Sequence, residues 1–164
     1  MQRLRGSDAY PIYAETPASP FVTLKAAIYR PTGGSDVPDI TELARFVKSG
    51  IARTTGRTAG MRILRVPMDL HHPVWVCDPG YSPDNHIHRA TLPSPGDREQ
   101  LCAFLSELMG KPLDHARPLW EVWLLDGLSE GRCAVVLKVH HSLADGKRVA
   151  ALIELSHAMP AGEQ

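Results

Sequence analysis

The sequence predicts an α/β domain built as a mixed sheet with flanking helices, and three observations predict it. Short β-rich runs bounded by Pro and Gly recur along the chain. Two aspartates, Asp39 and Asp97, open capping boxes ahead of helical apolar spacing. Two late β-rich runs are joined by a short glycine-bounded loop, the mark of an antiparallel hairpin. The expected order, β-α-β-β-β-α-β-β-α, is not the strict alternation of a doubly wound parallel sheet.

Taken in order, Phe21 to Tyr29 lies between Pro20 and Pro31 and reads as a strand. Thr32 to Pro38 is a turn cluster. Asp39, with Glu42 in the reciprocal position, caps a helix carrying Ile40, Leu43, Ala44, Val47 and Ile51, with Gly50 marking its frayed end. Thr54 to Gly60 is loop, and Met61 to Val66 alternates weakly as a strand. Pro73 to Cys77 and Asn85 to Leu92 are further short strands, separated by the turns Asp78-Pro79-Gly80 and Ser82-Pro83-Asp84. Asp97 and Gln100 cap the clearest amphipathic helix, with Leu101, Phe104, Leu105, Leu108 and Met109 on one stripe and Gly110 and Pro112 at its end. Leu119 to Leu125 and Arg132 to His140 form the hairpin around Gly127 to Gly131, with Trp120 and Trp123 as its core aromatics. After Gly146, Val149, Leu152 and Ile153 resume helical spacing to about Met159.

A chain of 164 residues suits a single domain over 1–164, and 43 % hydrophobic residues is globular composition. Eighteen basic residues against eighteen acidic ones give no basic surplus, which argues against a nucleic-acid partner. The charged start is not followed by an apolar stretch, so it makes a poor signal peptide. The longest apolar run, Cys133 to Leu137, stops at Lys138, far short of the roughly 20 residues of a spanning helix. Cys77, Cys102 and Cys133, odd in number and widely spaced, are expected as small core residues of a cytoplasmic protein, not as a disulfide frame or zinc site. His71, His72, His86 and His88 are expected in surface or hydrogen-bonding roles.

The chemistry concentrates in Lys138-Val139-His140-His141-Ser142-Leu143-Ala144-Asp145-Gly146. A strand ends on two adjacent histidines, whose side chains point to opposite faces and so have different jobs. If His141 enters a cleft, His140 points away or supports the loop; Asp145 can hold the loop's shape, and Gly146 can take a positive φ into a helix. A neutral histidine is suited to taking a hydroxyl proton near neutral pH. Two other readings stand beside this one: a polar strand end on the surface, or a metal site of His140, His141 and Asp145. Diverging histidines and the lack of a further Cys or carboxylate cluster weigh against the metal.

His140-His141-Ser142-Leu143-Ala144-Asp145-Gly146 resembles the HHxxxDG motif of CoA-dependent acyltransferases and peptide-synthetase condensation domains. Pro112 to Glu121, PLDHARPLWE, is similar to the PLDRSRPLWE block of bacterial wax ester synthase/acyl-CoA:diacylglycerol acyltransferases. Pro73-Val74-Trp75-Val76, Asp78-Pro79, Asn85-His86-Ile87, Ser7-Asp8-Ala9 and Ala14-Glu15-Thr16 look like further segments of that family, in the order of its N-terminal part.

The resemblance implies the N-terminal lobe of a chloramphenicol acetyltransferase-like fold, with the C-terminal lobe absent from this chain. It implies an O-acyltransferase that uses acyl-CoA as substrate, without a cofactor, and acylates diacylglycerol or a long-chain alcohol to triacylglycerol or wax ester. His141 falls on the catalytic base; His140, Asp145 and Gly146 fall on supporting positions, and Arg117 on an arginine that could be buried against Asp145 or stand in solvent. Peripheral attachment at the inner membrane face or at lipid droplets is the expectation that such substrates bring, and a C-terminal lobe or second chain would complete the site. A catalytically silent half-domain or interaction module of the same family is the alternative. His115-Ala116 stands where the family has Arg-Ser, and Lys147-Arg148 where it has small or apolar residues; those two cations could obstruct an acyl tunnel or meet CoA phosphates.

Overall fold

The computed structural model describes residues 2–30, 45, 49 and 59–143. The expected helix from Asp39 to Ile51 lies outside the described residues apart from Arg45 and Ser49, and the expected helix to Met159 lies outside them entirely, as do Asp145, Gly146, Lys147 and Arg148.

The described chain runs β1 (Gln2–Arg3), α1 (Gly6–Ala14), β2 (Val22–Tyr29), β3 (Met61–Leu64), β4 (Val74–Cys77), β5 (Ile87–Thr91), α2 (Arg98–Gly110), β6 (Trp120–Asp126) and β7 (Cys133–His140). The main sheet has the order β2-β7-β6-β5, and a smaller sheet has the order β1-β4-β3. In the main sheet β7 pairs antiparallel with β2 and β6, whereas β5 and β6 are parallel, so the sheet is mixed as expected. The hairpin of β6 and β7 is the expected one. Its register sets Trp120 opposite Val139 on one side, and β2 sets Val22 opposite His140 on the other.

β6 and β7 are the central strands and bury residues on both faces, which is why they read as nearly continuous apolar runs. One face packs Val122, Leu124 and Val139 with Ile63 and Trp75 of the smaller sheet and with Ala9 and Ile12 of α1. The other packs Leu125, Ala134 and Val136 against Leu101 and Leu108 of α2. Each fully buried aliphatic side chain of this kind contributes about 1.5–3 kcal/mol. The α2 cap forms as its sequence specifies: Asp97 Oδ1 accepts the N–H groups of Glu99 and Gln100 at 2.8 and 3.2 Å, and Gln100 Oε1 accepts the Asp97 N–H at 2.9 Å. Just ahead of it the chain touches the hairpin loop so closely that a Cβ on Gly96, at φ +66°, would stand 1.8 Å from the Gly127 carbonyl oxygen. Only glycine fits there.

Four expectations need correction. α1 has no counterpart among the expected elements; Pro11 lies inside it, a residue that disfavours a helix interior. Strand β3 ends at Leu64 rather than Val66, and a 3-10 turn over Pro83–His86 precedes β5. Met109 is exposed on the last turn of α2. Cys133 is a core residue, but Cys77 and Cys102 are exposed: Cys77 ends β4, and Cys102 is turned about 100° around α2 from buried Leu101. Among the described residues no helix is long and apolar enough to cross a membrane.

Candidate active site

β7 delivers the two histidines to the edge of the core and a 3-10 turn over His141–Leu143 then bends the chain away. His140 closes the strand and His141 opens the turn, and their side chains enter different environments. His140 is fully buried, and His141 is exposed. The backbone around them is tied to both neighbours: the His140 N–H donates to the Leu119 carbonyl at 3.1 Å, and the His141 N–H donates to the Phe21 carbonyl at 2.8 Å.

The His141 imidazole stands over the start of β2. Its Nε2 shares a hydrogen bond of 3.2 Å with Thr23 Oγ1, and the Phe21 ring meets it edge-on at 6.3 Å between centroids. A hydroxyl oxygen therefore already sits within proton-transfer reach of Nε2, in an open position. His140 faces inward. Its Nδ1 accepts the Ser142 N–H at 3.1 Å, so the neutral ring carries its proton on Nε2. That Nε2 lies 3.5 Å from Glu15 Oε1, too long for a hydrogen bond but close enough for strong attraction where water is excluded. The other Glu15 oxygen, Oε2, accepts from His115 Nε2 at 2.6 Å, and the His115 and His140 rings meet edge-to-face at 5.5 Å.

Glu15, His115 and His140 bring three potential metal-ligand atoms within 4.8 Å of one another. The donor set does not suit a metal as it stands. Binding at His140 Nε2 would require the ring proton on Nδ1, where the Ser142 N–H already points. The cluster is a set of polar contacts between one carboxylate and two imidazoles.

Burial drives the His140 pKa down to about 4 from an ordinary value of 6.5; Glu15 opposes the shift, and His115 and His141 add to it. The unfolded chain therefore binds a proton between about pH 6.5 and pH 4 that the folded chain refuses, and stability falls as pH falls through that window. The loss is expected to reach about 1–3 kcal/mol by pH 4. It is checked by urea midpoints from pH 4 to 7, where His140→Gln should flatten the slope relative to the wild type; parallel slopes would rule the buried neutral histidine out.

Other expected positions fall differently. Arg117 is solvated, its side chain 61 % exposed and 3.9 Å from Asp114, so it is not the buried arginine considered from the sequence. It follows the turn that the Asp114 carboxylate closes by accepting the Ala116 N–H at 2.8 Å. His86 is buried and gives its Nδ1–H to the Trp120 carbonyl at 2.9 Å, a hydrogen-bonding role, and burial lowers its pKa. His71 and His72 are exposed, and His88 is half-buried with its ring 4.6 Å from Trp123. Lys138, almost completely buried on the His140 face of β7, stands 3.9 Å from Glu121, and burial lowers its pKa. Glu15, Thr23 and Phe21 were not singled out from the sequence as site residues. The only sign of Glu15 was its place in Ala14-Glu15-Thr16, one of the segments carrying the family resemblance.

With this geometry in view, comparison with known proteins is decisive for family. The profile of the wax ester synthase/diacylglycerol acyltransferase catalytic domain matches residues 4–161. The chain belongs to that family. A putative diacylglycerol O-acyltransferase of Mycobacterium tuberculosis is 35 % identical over 149 residues, covering 89 % of this chain and 30 % of that protein. A probable diacylglycerol O-acyltransferase of the same species is 44 % identical over 87 residues, 53 % of this chain and 19 % of that one. Among solved structures, the wax ester synthase/diacylglycerol acyltransferase of Marinobacter aquaeolei VT8 superposes with a TM-score of 0.75 at 28 % identity, over 91 % of this chain and 36 % of that one. The first condensation domain of the calcium-dependent antibiotic synthetase shares the fold, with a TM-score of 0.69 at 20 % identity, over 95 % of this chain and 36 % of that one. The chain is thus a wax ester synthase/diacylglycerol acyltransferase family member with the chloramphenicol acetyltransferase-like lobe fold, and it spans about a third of the length of the relatives it matches.

Proposed function

We propose that this protein serves acyl transfer from a long-chain acyl-CoA to the hydroxyl of diacylglycerol or a fatty alcohol, with His141 as general base. The observation that carries this is the division between the two histidines at the end of β7: one buried and locked in a single tautomer, the other exposed with a hydroxyl at its Nε2. Family membership supplies the reaction class. In the proposed step His141 removes the acceptor's hydroxyl proton as the oxygen attacks the thioester carbon. The tetrahedral species then collapses, the C–S bond breaks, and the proton passes from His141 to the CoA thiolate. Atoms balance without an acyl-enzyme intermediate and without a cofactor. Asp145 and Gly146 are assigned to shaping the turn after His141, and a C-terminal lobe or second chain to closing the site over both substrates. Such substrates imply peripheral attachment to a membrane or lipid droplet.

The test is release of CoA thiol from palmitoyl-CoA by the protein in detergent, with and without dioleoylglycerol or hexadecanol. Release that requires the acceptor and yields triacylglycerol or wax ester is expected. Absence of acceptor-dependent release, with a C-terminal lobe supplied, would replace this function with the rival: a catalytically silent interaction module of the same family.

A further inference from the structure

We propose that Glu15 is a positioning residue for His141, holding the base in place from two sides; this rests on the assignment of His141 as the base. Glu15 caps the C-terminal end of α1, and its side chain is only 7 % exposed. A short bridge between Thr16 and Ser19 folds the chain straight back, so that Phe21 returns alongside it. Glu15 Oε1 accepts the Phe21 N–H at 2.9 Å, and the Phe21 carbonyl in turn accepts the His141 N–H at 2.8 Å. A single residue therefore separates the carboxylate from the backbone of the base. That same residue lays its ring against the His141 imidazole.

The second side runs through His140. The Ser142 N–H fixes its tautomer, which leaves the Nε2–H facing Glu15 Oε1. His140 is directly bonded to His141, so an attraction that holds its ring inward also sets the direction of the next Cα–Cβ bond. His115, 31 % exposed, donates to Oε2 at 2.6 Å, the second hydrogen bond on the carboxylate beside that from the Phe21 N–H. A carboxylate this buried is costly unless its oxygens meet donors, and among the described residues it meets the Phe21 N–H and His115 Nε2, with the His140 Nε2–H facing it at 3.5 Å. Among the described contacts no hydrogen bond or ion pair joins Glu15 to His141, so it acts through Phe21 and His140 and not on the reacting groups.

Glu15→Gln keeps the volume and one acceptor oxygen but removes the charge and sets an amide N–H₂ toward a histidine donor. It is expected to lower acceptor-dependent CoA release by about 10- to 100-fold, in kcat more than in KM, the size of effect that misplacing a catalytic group produces. In the His141→Ala background the same change should cost less than about 3-fold, because the group it positions is gone. A readout independent of turnover is hydrogen exchange of the His141 amide with ¹⁵N NMR of the histidine rings: Glu15→Gln should speed that exchange and shift both the His140 and His141 ring signals. Glu107→Gln, which breaks an exposed pair with Lys111 on α2, should move neither. If Glu15→Gln does not fold, Glu15→Asp, which keeps the charge one methylene short, is read the same way. Unchanged exchange and ring signals, or an equal loss of turnover in the His141→Ala background, would overturn the positioning role. If His141→Ala leaves turnover untouched, the base assignment falls, and the NMR readout still decides whether Glu15 orders the histidine pair.

Discussion

Replacing His141 with alanine is expected to lower acceptor-dependent acyl transfer by about 10²–10⁴-fold, the usual contribution of a positioned general base. The side chain is exposed, and its polar side-chain partner among the described residues is Thr23. Its loss should therefore change stability by only about 0.5 kcal/mol, the range of ordinary surface substitutions. A large kinetic effect on an almost unaltered fold separates catalysis from architecture. Because the proton moves only as the oxygen attacks, the loss is expected in kcat and kcat/KM together, with the KM for palmitoyl-CoA nearly unchanged. Steady-state rates and urea midpoints on the same preparation decide it. Full turnover in His141→Ala would remove the base from this residue. His140→Ala is the instructive contrast. It empties a buried site and leaves Glu15 and the Ser142 N–H without that partner, so it should lower stability and activity together.

The parts of this fold that were legible in the sequence are those whose causes are local. Asp97 and Gln100 lie three residues apart and satisfy each other's backbone N–H groups, so nothing distant is needed to see the start of α2. The β6–β7 hairpin is likewise closed by a loop in which Gly127 and Gly131 take positive φ. What escaped has non-local causes. The parallel pairing of β5 with β6 is a crossover that no neighbouring residue announces. α1 carries Pro11 and is stabilised through buried Ala9 and Ile12 packing on the sheet, a tertiary gain that outweighs a poor local propensity. At the site, the adjacent histidines could be read as having different jobs because strand alternation is a local rule. Glu15 could not be joined to them, since it meets His115 across a separation of 100 residues. Solitary carboxylates give no periodic or motif signal of what they will face.

Trp120→Ala is expected to cost about 3–5 kcal/mol of folding free energy, the usual loss when a large buried aromatic is emptied. Trp120 is 3 % exposed and serves as the joint between the two sheets. It begins β6 in the main sheet, while its Nε1–H donates to the Ala59 carbonyl at 2.8 Å, just ahead of β3 in the smaller one. Its ring stacks on His86 at 4.7 Å, and Tyr81 meets it edge-on at 6.5 Å. Removing the indole therefore opens a cavity, strips both aromatic partners and leaves a buried carbonyl unpaired. Trp120→Phe divides these terms: it keeps most of the packing and should cost about 1–3 kcal/mol, chiefly the orphaned Ala59 oxygen and the smaller ring. Burial holds the His86 pKa down, so opening the pocket should let it rise toward the ordinary histidine value, which ring-proton titration can follow. The effect should also reach the site, because Trp120 pairs with Val139 and the neighbouring Leu119 carbonyl receives the His140 N–H. Faster exchange at the His140 amide should then accompany the lowered urea midpoint. A loss below about 1 kcal/mol for Trp120→Ala would mean that the smaller sheet is held to the main one by α1 and the remaining core contacts, and not by this indole.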